Sequence, residues 1–149
     1  MAEVFVNGQI VSADDFPDAG LSVRYSLQLG GGWTLTHGPT TGQTHTDMGG
    51  VLRKAYFCHP LSFHFTTKTV QKWPRLSLEV WHQDSYGRQE LYGYGSIFLP
   101  SAPGDHEVAH GGVLENPRER MKLQAVSMGS VQLRVCVITR HFDRFGILA

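Results

Sequence analysis

The stretch that decides the fold is LSLEVWHQDSYGRQELYGYGSIFLP, residues 76–100. It starts with apolar residues at every second position, passes through the polar segment QDSYGR, and ends in a second run rich in aromatic and aliphatic residues. Alternation with a period of two is typical of a strand with one face in a core, and a short polar segment with glycine between two such runs is typical of a hairpin. The stretch therefore predicts two antiparallel strands joined by a turn with one acid, Asp84.

Other segments repeat this period. The most regular alternation covers residues 21–29, and further runs cover residues 61–66 and 131–138. Residues 4–10 indicate a first strand, with Asn7-Gly8 as a bulge or a turn inside it. Frequent glycines and prolines separate the runs, which favours an antiparallel sandwich over a parallel sheet with connecting helices. The sequence therefore predicts an all-β fold.

Two segments stand outside this pattern. Gly30-Gly31-Gly32 predicts a turn, and residues 101–129 form a polar connection that we expect to be mobile. Inside this connection, residues 116–123 are the candidate for a helix, because Asn116 can cap its start and Pro117 suits its first turn.

Length and charge limit the possible functions. At 149 residues the chain suits one hydrophobic core, so we expect residues 1–149 to form a single domain. Thirteen basic and thirteen acidic residues cancel, which gives no general attraction to nucleic acid. Because the sequence lacks a signal-peptide pattern and a membrane-length apolar run, we expect a soluble intracellular protein. Cys58 and Cys136 are then expected to be buried small hydrophobic residues rather than a disulfide.

One motif suggests an enzyme. Residues 106–110, HEVAH, match the H-E-x-x-H pattern, in which two histidines one helical turn apart bind zinc and the glutamate acts as a general base. The mechanism needs a helix, but Pro103-Gly104 precedes the motif and Gly111-Gly112 follows it. We therefore expect a surface hairpin or loop. Since the sequence also lacks a nucleophile elbow and a phosphate-binding loop, it predicts no enzyme and no cofactor.

Several segments together resemble the C2-like domain of the B9-domain family. They are AEVFVNGQI at 2–10, GQT at 42–44, HPLSFHFTTK at 59–68, WPRL at 73–76, VWHQDSYGR at 80–88, GYG at 93–95 and RHFDRFG at 140–146. The order WPRL, VW-x-x-DS-x-GR and GYG is specific, whereas the shorter matches mean little alone. The connection 101–129 departs from the family pattern and is shorter than expected.

The resemblance implies a single C2-like antiparallel sandwich of about eight strands and a non-enzymatic role. It also implies assembly with two sister proteins, the type 1 B9-domain protein and the Meckel syndrome type 1 protein. This trio belongs to the tectonic-like complex, which gates entry into the cilium at the transition zone next to the basal body. Tubulin has been linked to the family as a further partner, which adds the cytoskeleton to the expected locations in the cytoplasm.

The resemblance to C2 domains also raises the question of calcium. Calcium requires six to eight oxygen ligands, several of them charged. When the acidic loop patterns of calcium-binding C2 domains are placed on this sequence, Asp18 and Asp84 are retained, whereas Val23 and His82 replace carboxylates. Asp14 and Asp15 could refill part of the site. We expect these residues to be remnants of a calcium site that binds no metal.

The second strand of the opening stretch predicts a contact surface. Alternation places Tyr92, Tyr94 and Phe98 on one face, and Trp81 on the preceding strand adds a fourth aromatic residue. Exposed aromatic clusters often mark partner-binding surfaces. The alternative is that this face is the core and that Gly93 and Gly95 face outward. The sequence is compatible with both interpretations.

The C-terminal segment is a second candidate for the partner interface. Arg140, Phe142 and Arg144 alternate along RHFDRFG and belong to residue types that are frequent in interface hot spots. The alternative is a last strand followed by a solvated tail.

A membrane surface is the alternative partner. Lys68, Lys72 and Arg75 flank Trp73, and such a group can contact anionic lipid headgroups. The alternative is a solvated turn with Trp73 packed beneath it. The candidate lipid contacts, which include phosphoinositides as ligands, are therefore these four residues.

Overall fold

The computed structural model describes residues 2–14, 16, 18–48, 54–111 and 129–141, with the backbone alone for residues 108–111. The described strands are β1 (Ala2–Asp14), β2 (Leu21–Gln28), β3 (Trp33–His37), β4 (Thr41–Gln43), β5 (Lys54–Thr67), β6 (Arg75–Gln83), β7 (Gln89–Phe98), β8 (Gly104–Gly111) and β9 (Ser130–Arg140). The described residues form no helix, so none that could cross a membrane is present among them.

The strands form two antiparallel sheets. One sheet has five strands in the order β3-β5-β1-β9-β8, and the other has four in the order β4-β2-β6-β7. Because each long strand alternates apolar and polar residues, each sheet has one apolar face, and the two apolar faces pack together. The predicted all-β sandwich is confirmed.

The core draws on the alternating residues of both sheets. Its largest fully buried side chains include Phe63 and Phe65 on β5 and Leu76 and Leu78 on β6. Trp33 closes the core at one end, where its ring meets the edge of Phe65 with centroids 6.0 Å apart. The hairpin predicted from residues 76–100 therefore contributes β6 to the core, and β7 forms the edge of the four-stranded sheet.

The irregularity of β1 lies elsewhere than predicted. Asn7-Gly8 pairs without a break with β5 and β9, and the register shifts between Ile10 and Ser12 instead. Gly8 is needed for close strand packing, since a Cβ at this position would lie 2.0 Å from the carbonyl oxygen of Arg134. The glycine signal was correct, but its cause is close approach of the neighbouring strand rather than a bulge or a turn.

The polar connection 101–129 was only partly interpreted correctly. Residues 104–111 form β8, which pairs with β9 at the edge of the five-stranded sheet. The candidate helix 116–123 lies outside the described residues. By contrast, Gly30-Gly31-Gly32 does form a turn, in which the Trp33 amide donates to the Gly30 carbonyl at 3.3 Å.

The strands run between two ends of the sandwich that differ in charge. We call one the acidic end; it is formed by residues 18–20, 44–48 and 84–88, between strand termini that include Asp14 and Glu90. We call the other the basic end; it is formed by residues 29–32, 68–74 and 99–103, next to the start of β6 at Arg75. The outer face of the four-stranded sheet connects them.

Candidate binding surfaces

At the acidic end, Asp84 organises its own turn. Its Oδ1 accepts hydrogen bonds from the backbone amides of Tyr86 and Arg88, both at 2.9 Å. Its Oδ2 accepts from Nε of Arg88 at 3.0 Å. The bond from the Arg88 amide is the largest of several causes that lower the pKa of the Asp84 carboxyl. The carboxylate therefore serves the hairpin turn with both oxygens.

The other retained acid is also engaged. Asp18 accepts a hydrogen bond from the Tyr92 hydroxyl, and His82 stacks on the Tyr92 ring with centroids 4.9 Å apart. Burial, followed by the contact with Asp18, raises the pKa of Tyr92, so the phenol stays protonated and donates this bond. Asp18, Tyr92 and His82 thus form one contact chain that ties the segment before β2 to the β6–β7 hairpin.

The other described residues considered as calcium ligands do not complete a site with Asp18 and Asp84. Val23 is fully buried in β2, so the position that the loop pattern assigned to an acid belongs to the core. Asp14 lies 3.7 Å from Nζ of Lys54, and Asp15 lies outside the described residues. Within the described part of the chain, no three His, Cys, Asp or Glu side chains are arranged to hold a metal ion.

The predicted aromatic face is divided by a bulge. The register between β6 and β7 shifts so that Val80 pairs with Gly93 and Trp81 pairs with Leu91, which leaves Tyr92 as the extra residue. Tyr92 consequently turns into the core and is 8% exposed, while Tyr94 and Phe98 remain on the outer face. The prediction of one shared face is wrong for Tyr92, because alternation alone could not anticipate the bulge.

The outer face of the four-stranded sheet carries a groove of about 660 Å³. Ser26, Ser77, Gly95 and Ser96 line it together with the larger side chains of Leu91 and Tyr94. Beside it, Trp81 lies under the guanidinium of Arg24, whose Cζ is 4.4 Å from the ring centroid. The Trp81 Nε1 also donates to Glu79 at 3.2 Å. Sequence analysis missed Arg24, because only the β2–β6 register, which pairs it with Glu79, brings it to Trp81.

The C-terminal candidates are only partly described. Nε of Arg140 lies 3.7 Å from Glu3, and most of the Arg140 side chain is exposed. Phe142 and Arg144 lie outside the described residues. An interface role for this segment stays a prediction.

The four candidate lipid contacts gather at the basic end. Lys68, Lys72 and Arg75 are exposed, whereas Trp73 is half-buried and packs on Trp33 with ring centroids 4.9 Å apart. The alternative in which Trp73 packs beneath the turn is therefore correct for its side chain. The three basic side chains still point to solvent around it.

The HEVAH motif lies in β8, an edge strand. Its two histidines are four residues apart, which in a strand separates their Cα atoms by roughly 13 Å. Nε2 of His106 donates a hydrogen bond to the Ala102 carbonyl at 2.7 Å, and Glu107 pairs with Arg134 at 2.9 Å. The helical geometry of a zinc protease is therefore excluded. The segment that was expected to be a hairpin or a loop is a strand that pairs with β9.

The two cysteines are free thiols, as expected, but their burial was predicted wrongly. Cys58 is exposed, and Cys136 is half-buried. A hydrogen bond with Asp105 is the main cause that raises the pKa of the Cys136 thiol. Both side chains lie on the outer face of the five-stranded sheet, because the core-facing positions next to them are taken by Phe57 and Val135.

Comparison with solved structures supports the fold. The C2A domain of plant Extended Synaptotagmin 1 superposes with a TM-score of 0.61 at 13% identity, covering 89% of this chain and 92% of that domain. A human GIVD cytosolic phospholipase A2 superposes with a TM-score of 0.58 at 10% identity, covering 92% of this chain and 18% of that protein. At these identities the likeness shows the C2 fold alone.

Comparison with sequences shows the family. A family model described as "Ciliary basal body-associated, B9 protein" matches residues 4–111. B9 domain-containing protein 2 of Danio rerio is 41% identical and that of Homo sapiens is 35% identical, each over 99% of both chains. B9 domain-containing protein 1 of Xenopus laevis is 32% identical over 68% of this chain and 52% of its own length. The chain therefore belongs to the B9 protein family, which is associated with the basal body of cilia.

Proposed function

We propose that this chain is a non-enzymatic scaffold subunit that assembles with other B9-domain proteins at the ciliary transition zone, independently of calcium. Residues 1–149 act as one domain in this proposal. The subunit supports cilium assembly and the gating of ciliary entry. The protein is located in the cytoplasm and at the cytoskeleton of the basal body. Membership of the B9 family, which is associated with the basal body of cilia, supports the proposal. The outer face of the four-stranded sheet supports its finer part.

The observation that carries the proposal is the outer face of the four-stranded sheet. It combines a groove with a floor of small residues, the aromatic rings of Trp81 and Tyr94, and the Arg24 guanidinium. Small floor residues leave room for side chains of a partner, while Trp, Tyr and Arg are the residue types that dominate interface hot spots. This face therefore suits another protein surface better than it suits a small polar substrate.

The proposed partners are the type 1 B9-domain protein and the Meckel syndrome type 1 protein, with tubulin as a further candidate. The relationship to B9 domain-containing protein 1 supports a shared fold among the sister subunits. Arg140, Phe142 and Arg144 are retained as a secondary contact. Contact with an anionic membrane surface is a second candidate function and belongs to the basic end.

Calcium independence rests on the acidic end. Asp84 uses both carboxylate oxygens in its turn, and Asp18 is bonded to Tyr92. A calcium ion would have to replace these bonds and would still need several more charged oxygens. Assembly should consequently survive calcium chelation.

The test is co-expression with both sister proteins and measurement of the affinity of the purified subunits. Replacing Trp81 and Tyr94 by alanine should weaken assembly at least 30-fold, roughly the effect of losing 2 kcal/mol at a hot spot. The matched control replaces Tyr56 and Ile138 by serine, since both are about half exposed on the outer face of the other sheet. Thermal unfolding of each variant shows whether the fold is retained.

Two results would contradict the proposal. Equal weakening by the control pair would move the interface to the five-stranded sheet. Absence of any complex with the wild-type chain, with or without chelator, would remove the scaffold role itself.

A further inference from the structure

Apart from Arg24, which bonds to the neutral amides of Gln43 and Gln89 on the outer face of the four-stranded sheet, the described basic side chains divide into two groups according to their partners. Lys54, Arg88, Arg134 and Arg140 each lie within ion-pair distance of a carboxylate. Lys68 and Lys72 have no such partner among the described residues, and Arg75 donates to the neutral amide of Gln28. All three belong to the basic end, where residues 29–32, 68–74 and 99–103 contain no acid. Glu3 lies near the start of β1 at this end, but its carboxylate pairs with Arg140 of the five-stranded sheet.

Two of these cations line one groove. Lys72 and Arg75 border a space of about 330 Å³ whose apolar walls are Leu29, Trp73 and Phe98. Neither cation is neutralised by a carboxylate of the described chain, so the groove presents two positive groups beside an apolar wall. This arrangement suits a phosphate group that is attached to a hydrocarbon.

The rim of the basic end also exposes apolar side chains. Val70 is 43% exposed between Lys68 and Lys72, and Phe98 is 65% exposed at the end of β7. Exposed apolar residues with lysines around them are typical of surfaces that rest at a lipid interface, because lysine stems extend along the apolar layer and keep the charge at headgroup level.

The loop that carries Lys68, Val70 and Lys72 is preformed. The Trp33 Nε1 donates to the Gln71 carbonyl at 2.8 Å, and the Lys68 amide donates to Gly32 at 3.0 Å. Trp33 itself is anchored in the core and packs on Trp73. Binding therefore requires little ordering of the loop, which reduces the entropic cost of docking.

We propose that the basic end docks onto an anionic membrane surface, with a lipid phosphate between Lys72 and Arg75 and with Val70 and Phe98 in the interface. The acidic end, where C2-type sequences carry calcium ligands, would then face away from the bilayer. The proposal does not depend on assembly with sister subunits, and it would fix which way the partner-binding face points.

The test is co-sedimentation of the full chain with vesicles of phosphatidylcholine that contain phosphatidylserine, at low and at physiological salt. The wild type should bind these vesicles and not pure phosphatidylcholine, and binding should weaken with salt because exposed charges are screened. The double variant K68Q/R75Q should bind about 10-fold to 30-fold more weakly, as expected for two lost basic contacts. The single variant V70D should also lose binding.

The matched control is R88Q/R134Q, which removes the same charge at two exposed, ion-paired positions away from the basic end and should bind like the wild type. Failure of the wild type to bind anionic vesicles at low salt overturns the proposal, as does equal loss in this control. Competition by soluble polyglutamate together with unchanged binding of V70D would assign the site to an acidic peptide instead. Since no sister protein is present, this outcome is separate from that of the assembly experiment.

Discussion

The two ends of the sandwich use charge in opposite ways. At the acidic end, Asp14 pairs with Lys54, Asp47 accepts from the Tyr56 amide at 2.7 Å, and Asp84 closes its own turn. At the basic end, Lys68, Lys72 and Arg75 have no carboxylate partner among the described residues and surround exposed apolar side chains. The acids therefore stabilise connections, whereas the cations have no such role and carry the proposed contact with a membrane surface.

The largest expected effect comes from placing an acid at the core position where calcium-binding C2 sequences carry a ligand. V23D places a carboxylate in β2 at a fully buried position, so we expect a loss of about 5 kcal/mol in the free energy of unfolding and no gain in calcium affinity. Urea unfolding followed by tryptophan fluorescence, with calorimetric titration of calcium, measures both. V23A is the control and should cost about 2 kcal/mol. A folded V23D protein that binds calcium would contradict the placement of this residue in the core.

The next prediction compares two tryptophans: Trp33 at the basic end and Trp81 on the outer face of the four-stranded sheet. W33A removes the core anchor of the basic end, and we expect a loss of about 3–5 kcal/mol in the free energy of unfolding. W81A removes a half-buried ring that contributes through its contact with Arg24, and about 1 kcal/mol should be lost. Urea unfolding of both variants is the measurement. Equal losses would mean that Trp81 is part of the core and not of a binding face.

The sequence predicted the sandwich because alternation is a local signal that survives in every long strand. That Asp18 and Asp84 fall short of a calcium site stays a prediction, which rests on counting ligands from residue types. The sequence could not place Tyr92, because a one-residue bulge reverses the faces of a strand. At Val23 the calcium pattern and the strand pattern overlap, and the alternation over residues 21–29 predicted the strand that the structure has. Arg24 reaches Trp81 through strand register, which a single sequence does not display.

A smaller effect concerns the pH dependence of the acidic end. The pKa of Asp84 is lowered in the folded chain, so its contribution to stability is present above the unfolded pKa of about 3.9 and is lost as pH falls through the folded value. The urea concentration at the midpoint of unfolding should be measured for the wild type and for D84A from neutral pH downwards. The wild type should be the more stable protein at neutral pH, and this difference in stability should disappear in that acidic range.

The matched variant for this experiment is R88Q. The largest cause of the shift is the backbone amide of Arg88, which the substitution retains, so R88Q should keep most of the acid-dependent loss. If R88Q abolished that loss, the ion pair and not the turn would be the main partner of Asp84.

The smallest expected change in stability tests whether charge at the basic end serves the fold. Lys72 has a φ of 57°, a left-handed conformation that costs a residue with a side chain about 1–2 kcal/mol, while glycine adopts it freely. Glycine also gains entropy in the unfolded chain, so K72G should change the free energy of unfolding by less than about 1 kcal/mol. Vesicle binding should nevertheless fall, because a cation of the groove is lost. K72R keeps the charge and should retain binding. A large loss of stability in K72G would show that the Lys72 side chain supports the turn at Gly30, and the contrast between the two ends would then fail at this residue.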